Sequence, residues 1–103
     1  MLKNFRCYQM AVQFYKITRE LRAPNGLGDQ LRRAASSVAL NLAEGSGKSS
    51  LKDRCRFYEI ALGSIRECEA VLDLLEVSDA GIRGVLESLA RQTFTLCQAL
   101  KAG

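Results

Sequence analysis

Apolar residues recur along most of the chain at spacings of three and four, the period of helices that bury one face. In the first segment, about 2–22, Met10, Phe14, Ile17 and Leu21 form one stripe. Phe5, Tyr8, Val12 and Tyr15 form a second beside it. Ala23-Pro24-Asn25-Gly26 then predicts a stop. In the second segment, about 28–43, Leu31, Ala35, Val38 and Leu42 make a narrow stripe flanked by Ala34 and Ala39, so a neighbouring helix can approach closely. Gly45-Ser46-Gly47-Lys48-Ser49-Ser50 reads as a loop, with Ser50 as N-cap and Asp53 in the first turn of the next helix. That third segment, about 51–76, has two stripes: Tyr58, Leu62, Ile65 and Leu72, and Phe57, Ala61, Cys68, Val71 and Leu75. Ser78-Asp79 caps a fourth, to about 100, on which Ile82, Leu86, Leu89, Leu96 and Leu100 keep heptad-like spacing with Thr93 in the vacant seat.

No stretch alternates apolar and polar residues long enough for a strand. Four helices with short connections predict an all-α fold, an antiparallel up-down-up-down four-helix bundle, as a single domain over 1–103. The apolar face of the third segment is broader than one antiparallel neighbour needs. It is therefore central in its own bundle or shared with another subunit. A chain of 103 residues buries only a modest fraction of its surface, which favours a homo-oligomer.

Composition narrows the picture. An apolar fraction of 48% argues against disorder. Fifteen Lys and Arg against eleven Asp and Glu give a net charge of +4, a mild basic excess that permits an acidic partner without demanding one. The N-terminus has no uninterrupted apolar run, and no segment is apolar and long enough for a bilayer; neither a leader nor a membrane association is expected. Cys7, Cys55, Cys68 and Cys97 lack CxxC spacing and sit within helical patterns, so they read as small buried apolar residues rather than metal ligands. Reduced thiols and the missing leader predict a cytoplasmic protein. No cofactor is expected.

The chain has no His, so general-base work would fall to a carboxylate or a shifted Lys. Glu67, Glu69 and Asp73 on one helix read as a solvated face. Gly45-Ser46-Gly47-Lys48-Ser49 lacks phosphate-loop spacing and follows no strand. A non-enzymatic binding protein is the expectation. Asn41 and Glu44 lie three apart near the end of the second segment, with Asn41 among apolar neighbours. Arg33, Ser64 and Glu67 are candidate partners, giving a structural polar clamp between the second and third helices; a ligand site is the alternative. Eleven of the fifteen basic residues lie within positions 1–56, many near the 22–33 and 45–56 connections, in two patches or one stripe.

Residues 27–72 carry a resemblance. Gln30-Leu31-Arg32-Arg33-Ala34-Ala35, then Asn41-Leu42-Ala43-Glu44-Gly45, then Arg56-Phe57-Tyr58-Glu59-Ile60-Ala61-Leu62-Gly63-Ser64-Ile65-Arg66-Glu67 resemble the four-helix proteins encoded in intervening sequences of bacterial large-subunit ribosomal RNA genes. The accessory variability determinant of diversity-generating retroelements is similar to the same family. The connection over 23–29 looks shorter than in those proteins. The resemblance implies a ring-shaped homopentamer. From the retroelement members it implies binding to RNA or DNA and association with a reverse transcriptase.

Within that frame, Arg and Lys of the first segment and of the 45–56 region are expected to bind nucleic-acid phosphates, with Arg19, Arg22, Lys48, Lys52 and Arg54 as the best single candidates. The aromatic residues fit helical stripes rather than basic loops, so base readout is not expected. A structural or protein-interaction ring without nucleic-acid binding is the alternative.

Overall fold

The computed structural model describes residues 2–102; the first and last positions of the expected 1–103 domain lie outside them. After a short 3-10 turn at Leu2–Asn4 come four α-helices: α1 (Arg6–Glu20), α2 (Leu27–Ser46), α3 (Leu51–Leu74) and α4 (Ala80–Ala102). They pack antiparallel in chain order, and α1 closes the square against α4. The bundle measures 42 × 21 × 21 Å. Its long axis exceeds by about one helical turn the ~36 Å that a helix of α3's length spans at 1.5 Å per residue.

The caps follow their local chemistry. Ser50 Oγ accepts from the Asp53 amide at 3.2 Å, and Asp79 Oδ1 accepts from the Ile82 amide at 3.0 Å. Each satisfies an orphan N–H at a helix start. The 23–26 turn closes with Asn25 and Gly26 both at positive φ, 59° and 76°. Asn and Gly are the residues that tolerate this conformation.

The core lies along Cys7, Ala11, Phe14 and Thr18 of α1; Leu31, Ala35, Val38 and Leu42 of α2; Tyr58, Ala61, Ile65, Cys68 and Leu72 of α3; and Leu86, Leu89, Thr93 and Cys97 of α4. On α1 this line runs between the two expected stripes. Small residues take most of the centre, and the large side chains of Tyr8, Met10, Tyr15 and Leu21 pack from its flanks. On α4, Cys97 replaces Leu96 on the central line for the same reason. Cys7, Cys68 and Cys97 are buried and Cys55 is half-buried, all as free thiols. Thr18 satisfies its hydroxyl on the Tyr15 carbonyl, and Thr93 shares a 3.5 Å contact with the Cys7 thiol.

The second helix differs from expectation at its end. It continues through Glu44, Gly45 and Ser46, and the connection to α3 shrinks to 47–50. Gly45 is the cause. A Cβ there would stand 2.6 Å from a Tyr58 ring carbon and 3.1 Å from the Phe57 Cβ. Glycine at this position is not a breaker but the seat for the Tyr58 ring.

Candidate nucleic-acid interface

The α2–α3 seam holds a polar cluster, smaller than the expected clamp. Ser37 and Ser64 hydroxyls pair at 2.8 Å across the two helices. Asn41 Nδ2 donates to the Ser37 carbonyl at 2.8 Å and to its Oγ at 3.1 Å. The charged members of the clamp are not there. Arg33, Glu44 and Glu67 are all exposed. Glu44 pairs along its own helix with Lys48 at 3.3 Å, with 58% of its side chain accessible. The physical reason is register: Ser37, one turn before Asn41, reaches Ser64 first, so the seam is satisfied by hydroxyls and no carboxylate is desolvated. Ser37 was the residue to find, and the i, i+4 spacing of Ser37 and Asn41 was the available signal.

Beside that seam, Phe57 lies half-buried between two cations. The Arg56 guanidinium carbon sits 4.5 Å from the ring centroid and Lys48 Nζ 5.2 Å from it. An aromatic residue therefore does stand among basic residues, against the expectation from helical stripes. Its exposed surface is shared by cation–π contacts. Arg54 is turned inward: Nη2 donates to the Lys48 carbonyl at 2.8 Å, and Nε is enclosed with no hydrogen-bond partner among the described residues. It braces the 47–50 connection. Burial raises the Tyr58 phenol, partly offset by the nearby Arg54 charge.

The five expected binding residues form no single patch. Arg19 and Arg22 lie at the end of the bundle where α1 finishes and α2 begins; Lys48, Lys52 and Arg54 lie at the opposite end. The more consistent basic surface is α1 itself. Its exposed positions are Arg6, Gln9, Gln13, Lys16, Arg19 and Glu20. The first 22 residues contain five basic residues, Lys3, Arg6, Lys16, Arg19 and Arg22, against Glu20 alone; the rest of the chain has ten of each sign. The whole net charge therefore resides in this segment. The four ion pairs among the described residues engage Arg32, Lys48, Arg83 and Lys101, none of them on α1. Arg6 and Lys16 belong to the expected basic first segment but not to the five single candidates; counting charge helix by helix singles them out.

The thiols are held protonated. Burial, with Glu67 and Glu69 adding, pushes Cys68 up to about 12. Burial also raises Cys7 and Cys97. Among the described residues no group of three or more Cys, Asp or Glu is placed to hold a metal ion, and no helix is long and apolar enough to cross a membrane.

No curated protein matches the chain. Residues 4–102 match the 23S rRNA-intervening sequence protein family, a span that takes in all four helices. With its motifs on α2 and α3, its four antiparallel helices and that match over nearly its full length, the chain belongs to the 23S rRNA-intervening sequence protein family.

Proposed function

We propose that the chain works without catalysis, as a closed homo-oligomer that binds nucleic-acid phosphates through α1. The observation that carries this reading is the division of the surface. α1 holds unpaired cations and no fully exposed large apolar residue, whereas Leu40, Leu51, Ile60, Leu74 and Phe94 are all exposed on the other three helices. Exposed large apolar side chains on these three helices are the surface through which we propose self-association. A basic face left outside an assembly meets polyanions. A ring-shaped homopentamer is the closure we propose, from the likeness of the α2–α3 motifs to the retroelement accessory proteins. Five copies would repeat the protomer charge of +4 to about +20 and turn a few cations into many simultaneous phosphate contacts. The same likeness makes a reverse transcriptase the proposed protein partner, with RNA or DNA as the nucleic acid.

The test is anisotropy with structured RNA and single-stranded DNA over roughly 50 to 300 mM salt, where phosphate-driven binding loses affinity steeply. Lys16→Glu with Arg19→Glu should weaken binding to both and flatten the salt slope by about two, one for each lost contact. Affinity independent of salt, or none at low salt, replaces this reading with a protein-interaction ring.

A further inference from the structure

Where α1 gives way to α2, three arginines from separate positions converge. Arg19, Arg22 and Arg32 line a concave site of about 420 Å³, together with Glu20, Leu21 and Ala23. Arg19 comes from the last turn of α1, Arg22 from the connection, and Arg32 from the second turn of α2. Arg19 and Arg22 make no ion pair among the described residues. Arg32 also borders a second cavity of about 360 Å³ with Tyr15, Asp29, Arg33 and Ser36, so its guanidinium stands between two basic concavities. That guanidinium donates to the Asp29 carboxylate. The carboxylate is 75% exposed and the Arg32 side chain 34%.

We infer that this site takes a single phosphate group, with Arg19, Arg22 and Arg32 as its donors and Asp29 as the internal anion that the phosphate displaces. A guanidinium presents a planar fork of N–H groups, which matches two oxygens of a phosphate as well as two of a carboxylate. The Arg32–Asp29 pair is exposed and therefore weak, so exchanging Asp29 for an incoming anion costs little. Glu20 on the rim partly offsets the cations, which favours a singly charged phosphodiester over a dianion. The inference rests on the nucleic-acid reading for the source of that phosphate, but the site itself is defined by the three arginines.

The full chain is titrated with inorganic phosphate, followed by ¹H–¹⁵N NMR, and in parallel with RNA. The inference expects shifts concentrated over residues 19–33. It expects Arg22→Gln with Arg32→Gln to weaken phosphate binding about tenfold, and Asp29→Asn to tighten it about threefold by releasing Arg32. A gain of affinity in Asp29→Asn cannot come from misfolding. Shifts spread evenly over every cation, or no gain in Asp29→Asn, overturn the site. Phosphate binding as expected without RNA binding at any salt keeps the site and removes the nucleic-acid reading. RNA binding unchanged in the double glutamine variant, with no phosphate shifts, does the reverse.

Discussion

The outer faces of α1 and α3 are built on the same helical period within one bundle, yet they present opposite chemistry. α1 shows solvent a polar row, Arg6, Gln9, Gln13, Lys16 and Arg19, with no ion pair among its cations. α3 shows Ile60 at 43% exposure and Leu74 at 69%, while Lys101 of α4 and Arg83 of α4 are tied to its Glu59 and Asp73. On α2, Leu40 is 67% exposed. It lies between the Ser37–Ser64 bond and the Gly45–Tyr58 contact, as Ile60 does on the other side of the seam. The two residues thus stand at one level of the bundle. Lys52, Arg56 and Arg66 of α3 make no ion pair among the described residues either, so the contrast rests on the exposed apolar side chains of α3, the surface proposed to meet protein. A polar row of cations with no exposed apolar neighbour is the surface proposed to meet anions. The difference lies in what each helix leaves outside, not in how it packs.

The largest expected effect attacks the apolar side. Leu40→Lys with Ile60→Lys should abolish the proposed assembly, because each unpaired charge buried between subunits would cost about 3 kcal/mol. Light scattering should report monomers, while circular dichroism keeps the helical signal because both positions are exposed in the protomer. An unchanged particle mass would remove the α2–α3 face from the contact. Next comes the protomer itself. Gly45→Ala forces a Cβ into the Tyr58 ring and should lower stability by about 2 kcal/mol, within the usual cost of overpacking. Gly63→Ala on the outer side of α3, where a Cβ meets nothing within 4 Å, should instead raise it by about 0.8 kcal/mol. Denaturant melts of the two variants should move in opposite directions.

The fold was legible because its signals are local. Helical spacing placed all four helices, and the Ser50 and Asp79 caps appear as read. The charged clamp was not legible. Asn41 was correctly read as partly buried, but which polar group meets it depends on the register between helices, and a pattern of spacings does not contain register. The 45–50 loop was misread for a related reason. Gly45 signals a turn by local propensity, and only the Tyr58 ring packed against it makes it a helix interior. The proposed anion site is half legible: Arg19 and Arg22 stand among the sequence candidates, while the convergence of Arg32 on them needs the turn through Asn25 and Gly26.

The smallest expected effects sharpen the seam between the two kinds of surface. Asn41→Ala removes a donor shared by the Ser37 carbonyl and hydroxyl and should cost about 1 kcal/mol, the ordinary net value of a partly buried hydrogen bond. Glu44→Ala and Glu67→Ala should each change stability by less than about 0.5 kcal/mol, since both carboxylates are exposed and an exposed helical ion pair is worth little. Measured by urea melts at low protein concentration, these values follow from the protomer alone. Repeating the melts at high concentration separates the protomer from the assembly. If Glu67→Ala becomes costly only where the protein is assembled, the carboxylate has a partner on a neighbouring subunit, and the charged half of the clamp is made between chains rather than within one. If the cost stays small at every concentration, Glu67 faces solvent in the proposed assembly too, and the proposed contact surface narrows to the level of Leu40 and Ile60.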